Sequence, residues 1–153
     1  MFNWFQQEVL DAHCLDAFAG TGAFGFEALS RGAKSVVFLE SHSQAVKALQ
    51  KNREQMKLSS QVAKIIHGSL FDFLNTAPVT PFDLVFLDPP FHQGFLLSAL
   101  QGLIEPGWLS AHAKIYWECE RGYSLETLLQ APVFSTLSLD KHLTAGQVTY
   151  GCL

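Results

Sequence analysis

The residues Asp88-Pro89-Pro90-Phe91 form the most specific chemical pattern in this chain. Two consecutive prolines restrict the backbone and remove two N–H donors, so the segment offers acceptors: the Asp88 carboxylate and the carbonyls near the prolines. The Phe91 ring beside them can stack on a planar molecule. Acceptors hold the protons of an exocyclic amino group and orient its nitrogen lone pair, so the pattern predicts a site for a planar amine. The alternative is a rigid turn with a buried phenylalanine.

A glycine-rich segment, Asp16-Ala17-Phe18-Ala19-Gly20-Thr21-Gly22, precedes a helix-forming segment that begins at Ala23. Glycines tolerate positive φ and allow the backbone to approach a ligand closely. A ligand there would also meet the free N–H groups and the positive dipole end of the helix. The segment therefore predicts a loop that binds a nucleotide-like cofactor. The candidate contacts are Asp16, Phe18, Ala19, Gly20, Thr21 and Gly22.

Nicotinamide enzymes and methyltransferases share one glycine spacing, which this chain has at Gly20, Gly22 and Gly25. Both classes also have an acidic residue about twenty positions after the first glycine, and here that residue is Glu40. Asp16 precedes the glycines by four positions, which extends the loop and leaves space for an amino-acid moiety. The loop contains no basic residue that would favour a phosphate group. These details favour a methyltransferase, and an NAD-dependent oxidoreductase stays open as the alternative.

Two later segments complete the predicted cofactor site. Glu40 stands at the end of an apolar run, where a carboxylate can accept hydrogen bonds from two ribose hydroxyls; the alternative is a solvated acid. Ser41 follows it directly, and Ser69 and Leu70 follow the third predicted strand, where an adenine edge would lie. The Ser69 hydroxyl can equally cap a helix. Asp88 is a candidate contact both for the cofactor and for the amine of the substrate.

Other candidates carry weaker signals. His92 adjoins the proline segment and could shuttle a proton or touch a phosphate, although a surface role is the more common one. Glu118 and Glu120 end the fifth predicted strand, and a role for them in lining the pocket stays open. Trp108 is expected in the core.

The elements that must position these residues alternate between strands and helices. Apolar runs predict strands over 12–15, 35–40, 62–66, 82–87 and 113–118, with helices between them, and an antiparallel pair at the sheet edge over 133–139 and 148–153. Phe2, Phe5 and Val9 predict an opening amphipathic helix. The alternation predicts a doubly wound α/β fold: a mostly parallel seven-stranded sheet with helices on both faces, an antiparallel strand at the C-terminal edge, and ligands at the carboxyl ends of the strands.

Composition limits the classes of function. A chain of 153 residues with 48% hydrophobic and 16% charged residues suits a single globular domain over 1–153. No apolar run is long enough for a membrane span, and three scattered cysteines favour a reducing cytoplasm and offer no zinc site. The net charge of −4 counts against nucleic-acid binding unless the basic part lies elsewhere. The uncapped opening helix suggests that an N-terminal segment is missing.

Together the motifs Asp16 to Gly22, Glu40 and Asp88 to Phe91 resemble those of S-adenosylmethionine-dependent amino-methyltransferases, and more narrowly the RsmD family of small-subunit ribosomal RNA guanine-N2 methyltransferases. Further similar stretches spread the resemblance over the whole chain: 27–33, 106–109 and 145–150. The family's basic N-terminal segment, which is implicated in RNA contact, is absent before Phe2. Ser69 stands where many relatives carry Asp or Asn, and His92-Gln93 where relatives are more basic.

The resemblance implies a Rossmann-like methyltransferase fold and S-adenosylmethionine as cofactor. It implies transfer of a methyl group to the exocyclic N2 of a guanine in small-subunit ribosomal RNA, with Asp88, Pro89, Pro90 and Phe91 as the catalytic segment. The expected partner is ribosomal RNA or an assembling small subunit, with no metal and no membrane, for a monomer in the cytoplasm. Two alternatives stay open besides the oxidoreductase: a catalytically silent cofactor-binding or ribosome-assembly module, and an amino-methyltransferase that acts on DNA or on protein glutamine.

Overall fold

A computed structural model of the chain describes residues 2–122, 124, 127 and 129–153. Strands and helices alternate along most of the chain, as the apolar runs predict. Two short 3₁₀ helices, Phe2–Trp4 and Pro132–Phe134, stand outside this alternation. The regular elements are β1 (His13–Asp16), α1 (Ala23–Ser30), β2 (Ser35–Glu40), α2 (Ser43–Gln55), β3 (Ala63–His67), α3 (Leu70–Leu74), β4 (Phe82–Leu87), α4 (Phe95–Leu103), β5 (Leu109–Glu120), β6 (Lys141–Ala145) and β7 (Val148–Cys152).

The strands form one seven-stranded sheet in the order β3-β2-β1-β4-β5-β7-β6. The first five strands pair in parallel, and β7 runs antiparallel to both of its neighbours, β5 and β6. This arrangement confirms the predicted doubly wound, mostly parallel sheet. Because parallel strands end at the same edge, the residues that follow β1, β2 and β4 meet there.

Each face of the sheet carries its own apolar core, which explains why β2 is apolar over 36–39 and β4 over 84–87. On one face, Phe38 and Phe86 pack with residues of α1 and α2, among them Phe26 and Leu49. On the other face, Leu87, Trp117 and other residues pack with side chains of α3 and α4. Since side chains alternate between the faces, every second residue of a strand end points to the same side.

The expected opening helix is wrong. Among the described residues, the chain forms the 3₁₀ helix Phe2–Trp4 and then a series of turns, in which Val9 N donates a helical-type hydrogen bond to Phe5 O (3.0 Å). Phe5 and Val9 are nevertheless buried, as their apolar character predicts. Phe5 lies edge-on to Tyr116. A turn that buries Phe5 and Val9 in the core therefore produces the same spacing of apolar residues as an amphipathic helix.

Helix α2 begins after His42 without a side-chain cap. The backbone N–H of His42 itself donates to the Glu40 carboxylate. Met56 lies just beyond the last residue of the helix, Gln55, and is exposed.

The strand expected over 133–139 is also wrong. That segment contains the 3₁₀ helix Pro132–Phe134, and the edge strand β6 begins only at Lys141. Pro132 has no N–H to donate to a neighbouring strand. Phe134 is fully buried in the apolar core on one face of the sheet. The more polar segment after it can form the edge, because an edge strand needs less apolar surface.

Among the described residues, no helix is long and apolar enough to cross a membrane. Within the same part of the chain, no group of three or more His, Cys, Asp or Glu side chains is placed to hold a metal ion.

Candidate active site

A cleft of about 700 Å³ opens at the carboxyl ends of β1, β2 and β4. Its size suits a nucleoside-sized ligand. Most of the predicted site residues line it: Phe18, Gly20, Glu40, Ser41, Ser69, Leu70, Asp88, Pro89, Pro90 and Phe91. The structure thus brings the cofactor motifs and the proline segment to one cavity.

The glycine loop turns sharply between β1 and α1. Gly20 and Gly22 have φ angles of 52° and 79°, in the left-handed region that favours glycine. A Cβ at Gly20 would meet no atom within 4 Å, whereas one at Gly22 would lie 2.6 Å from Leu49 and Phe26. Gly20 therefore leaves open space at the cleft, while Gly22 lets α1 pack. Ala19 is buried and Thr21 is exposed, and neither lines the cleft.

Asp16 supports this loop from below and does not line the cleft. Its side chain is 1% exposed, and Oδ2 accepts a hydrogen bond from Gly25 N in the first turn of α1 (3.0 Å). Oδ1 is buried without a partner among the described residues. Burial, and to a smaller extent the nearby carboxylates of Asp88 and Glu40, raise the pKa of Asp16 to about 7, although the hydrogen bond from Gly25 N lowers it.

The Glu40 carboxylate joins the end of β2 to the glycine loop. Oε2 accepts from Gly20 N (2.8 Å), and Oε1 accepts from His42 N (2.8 Å) and lies 3.0 Å from the ring nitrogen Nδ1 of His42. Burial by itself would raise the pKa of Glu40, but these hydrogen bonds outweigh it and hold the pKa below its usual value. A carboxylate kept ionised at the cleft is a ready acceptor for hydroxyl groups.

Three aromatic rings, those of Phe18, Phe71 and Phe95, also line the cleft. Phe18 stacks on Phe95 with ring centroids 6.3 Å apart and planes inclined by 8°, and Phe71 meets Phe95 edge-on at 5.4 Å. Phe71 and Phe95 were not predicted as site residues. Each stands near the start of a helix, and no motif marks it; only its position after a strand end could have suggested a role.

Ser69 caps α3, as its alternative interpretation predicts. Its Oγ accepts from Asp72 N (3.1 Å) and donates to Asp72 Oδ2 (2.7 Å). Leu70 beside it is 1% exposed and also belongs to a core cluster. Both residues line the cleft at the end of β3.

The proline segment follows β4 directly. Pro89 is buried and Pro90 is exposed, so the chain leaves the sheet at this point. Phe91 is 38% exposed and lines the cleft, and the interpretation as a turn with a buried phenylalanine is therefore wrong. Burial and then the nearby Glu118 carboxylate raise the pKa of Asp88 to about 6.

His92 and Trp108 lie outside this constellation. His92 has a φ of 61° and an exposed ring, with Nδ1 3.8 Å from Glu120 Oε1. Trp108 is buried against Phe73, with ring centroids 5.0 Å apart, which confirms its place in the core.

The sheet order, the glycine loop and the cleft together define a Rossmann-like methyltransferase fold. A crystal structure from Haemophilus influenzae, of a protein provisionally named a methylase, superposes with a TM-score of 0.85 at 40% identity and covers 99% of this chain and 91% of that one. An RsmC methyltransferase from Thermus thermophilus has the same fold, with a TM-score of 0.72 at 21% identity over 96% of this chain and 38% of that one.

Sequence comparison identifies the family. The model of the family described as Conserved hypothetical protein 95 matches residues 1–151. Ribosomal RNA small subunit methyltransferase D of Haemophilus influenzae is 44% identical over 151 residues, which are 98% of this chain and 75% of the relative. The Escherichia coli K12 protein of the same name is 38% identical over 150 residues, at 98% and 72% coverage. The chain belongs to this family, the RsmD family, and is a methyltransferase. The oxidoreductase alternative is wrong.

Proposed function

We propose that this methyltransferase transfers a methyl group from S-adenosylmethionine to the exocyclic N2 amine of a guanine in small-subunit ribosomal RNA. The observation that carries the proposal is the shared cleft, in which the acceptors of Asp88 to Pro90 and the Phe91 ring face the same cavity as Gly20 and Glu40. The similarity to proteins named ribosomal RNA small subunit methyltransferase D supports the choice of RNA. The partner is ribosomal RNA or the assembling subunit, met by a monomer in the cytoplasm.

The cleft fits the cofactor. Open space beside Gly20 admits a ligand close to the loop backbone, and Glu40 offers an ionised carboxylate for ribose hydroxyls. The rings of Phe18, Phe71 and Phe95 provide an apolar wall for an adenine ring. Ser41, Ser69 and Leu70 complete the cofactor side, and Asp16, Ala19, Thr21 and Gly22 hold the loop that presents it. When bound, S-adenosylmethionine supplies an electrophilic methyl group on a sulfonium centre.

The residues at the end of β4 prepare the amine. An amine conjugated with a purine ring is a poor nucleophile, so its orientation matters most; alignment of reactants can supply roughly 7–11 kcal/mol. Asp88 and the carbonyls near Pro89 and Pro90 accept the amine protons, and Phe91 stacks on the base. The Asp88 carboxylate also stabilises the positive charge that develops on nitrogen, and the excess proton leaves to it or to water. The base must be unpaired or flipped out to reach this depth.

Two measurements test the proposal in sequence. Calorimetric titration with S-adenosylhomocysteine should show micromolar binding, and NAD, the control, should show none. Transfer of labelled methyl groups should then favour unmodified small subunits or their RNA over DNA and over protein glutamine in direct competition. Cofactor binding without transfer to any of these would support the silent module instead, and preferred labelling of DNA or protein would replace the RNA substrate.

Methyl transfer should depend on pH through Asp88. Its pKa of about 6 lies above the ordinary value, so the carboxyl is protonated below about pH 6 and ionised above it. A protonated carboxyl no longer accepts on both oxygens and carries no charge to stabilise the transition state. The value of kcat/KM for the RNA, measured at saturating cofactor, should therefore fall about tenfold per pH unit below about pH 6, because it reports the pKa of Asp88 before the RNA binds. A value that stays flat from pH 5 to 7 would contradict this role.

A further inference from the structure

Glu118, a carboxylate that the mechanism above does not use, lies beside Asp88. In the register of β4 and β5, Leu87 pairs with Trp117, so the next residues of the two parallel strands, Asp88 and Glu118, stand side by side at the end of the sheet. Alternation along the strands places both on the face that carries Phe86 and Tyr116. Glu118 is half-buried, and its charge acts on Asp88. Two carboxylates therefore meet where the amine is expected.

Tyr116 fixes one side of Glu118. Its hydroxyl, on a side chain that is 3% exposed, donates a hydrogen bond of 2.6 Å to Glu118 Oε1. Burial and this bond raise the pKa of Tyr116, so the phenol stays a donor. Within the part of the chain that the structure describes, no hydrogen bond reaches Glu118 Oε2. Tyr116 thus orients the Glu118 carboxylate. Glu118 is not among the described residues that line the cleft, but its neighbour Asp88 is.

The edge of guanine carries more than the reacting amine. Its N1–H donor lies directly beside N2 in the plane of the ring, whereas adenine and cytosine have an unprotonated ring nitrogen beside their amino groups. If Asp88 and the proline carbonyls hold the two amine protons, N1–H needs an acceptor next to Asp88. The neighbouring strand end supplies one.

We propose that Glu118 accepts the N1–H of the target guanine and so selects guanine among amino-bearing bases, with Tyr116 as its positioning residue. The inference rests on the proposed function and identifies the group that distinguishes guanine from other bases. A base with an acceptor at that position would turn a lone pair toward the half-buried carboxylate and give Glu118 Oε2 no donor, which is costly. Guanine instead brings donors to both carboxylates, which relieves the repulsion that contributes to the raised pKa of Asp88.

The test compares guanine with 2-aminopurine, which keeps the 2-amino group but has an unprotonated N1. Mass spectrometry first maps the guanine that the wild-type chain methylates in unmodified small subunits. That position is then filled with guanine or 2-aminopurine in ligated RNA. The wild type should prefer guanine by about 30-fold or more in kcat/KM, because a hydrogen bond to a charged group is lost. Glu118→Gln, whose amide can donate to N1, should reduce this preference about tenfold or more.

Matched variants separate recognition from folding. Glu120→Gln makes the same change two residues along the same strand and should keep the wild-type preference. Tyr116→Phe removes only the orienting hydroxyl and should lower the preference partway, which a purely structural role would not do. All variants should bind S-adenosylhomocysteine like the wild type; if Glu118→Gln fails this control, Tyr116→Phe decides in its place.

The outcomes distinguish the two proposals. A wild-type chain that labels no guanine in small-subunit RNA would overturn the proposed function itself. A wild type that methylates guanine and 2-aminopurine equally, or a preference that survives both Glu118→Gln and Tyr116→Phe, would overturn the role of Glu118 alone. In that case Asp88 would read N1–H and the amine together.

Discussion

Replacing Asp88 with alanine is expected to lower the rate of methyl transfer by about 10²–10³-fold, the effect typical of removing one preorganised group from a transition state. The carboxylate lies at the cleft beside the proline carbonyls, where it can hold the amine and stabilise its developing charge. It makes no hydrogen bond to the glycine loop or to Glu40 among the described residues, so S-adenosylhomocysteine should bind within a few-fold of the wild-type affinity. Single-turnover kinetics and calorimetry measure the two effects separately.

A matched control removes an exposed carboxylate far from the cleft. Glu54→Ala on α2 should leave both the rate and the affinity unchanged. Near-normal turnover of Asp88→Ala would refute the amine-holding role. Loss of cofactor affinity as large as the loss of rate would instead assign Asp88 mainly to the cofactor side of the cleft.

Most of the sheet could be predicted from sequence because its central strands are covered on both faces. The observed bounds of β2 and β4 coincide with the predicted runs 35–40 and 82–87, since both strands are mainly apolar where they are buried on both sides, with Asp83 the polar exception inside β4. The opening segment and the segment 133–139 could not be predicted in this way, whereas the strand predicted over 148–153 is present as β7. Phe5 and Phe134 are anchors whose burial depends on partners distant in sequence, and an apolar residue in a turn looks the same as one in a helix or strand.

The candidate site likewise contains residues that a local sequence pattern predicts and residues whose positions depend on distant parts of the chain. Gly20, Glu40 and Asp88 were found because each stands in a local pattern at a strand end, and parallel topology brings strand ends together. Phe71, Phe95 and the Tyr116–Glu118 pair carry no such pattern. Their positions follow from helix packing and from the register between β4 and β5, which the sequence of either strand alone does not determine.

The cleft is also short of positive charge. No lysine or arginine is among the described residues that line it, whereas Glu40 and Asp88 are. A polyanion is therefore not drawn to this cavity by charge, and the proposed RNA must be held by its flipped base here and by phosphate contacts elsewhere. This division agrees with a site in which acceptors, not cations, recognise the substrate.

Replacing Glu40 with alanine should have the opposite pattern to Asp88→Ala. The change removes the acceptor for Gly20 N and for His42 N together with the group proposed to bind the ribose hydroxyls. Because hydrogen bonds to charged groups contribute about 1.5–3 kcal/mol, calorimetry should show affinity for S-adenosylhomocysteine reduced by about 10–100-fold. The rate at saturating cofactor should fall much less, since Glu40 lies away from the amine.

His42→Ala is the matched control, because it removes the ring contact to Oε1 and keeps both backbone bonds to Glu40. Its affinity should stay within a few-fold of the wild type. Unchanged affinity in Glu40→Ala would exclude this carboxylate from the cofactor site. Opposite losses in the two carboxylate variants, of affinity in one and of rate in the other, would locate cofactor binding at the end of β2 and chemistry at the end of β4 within a single cleft.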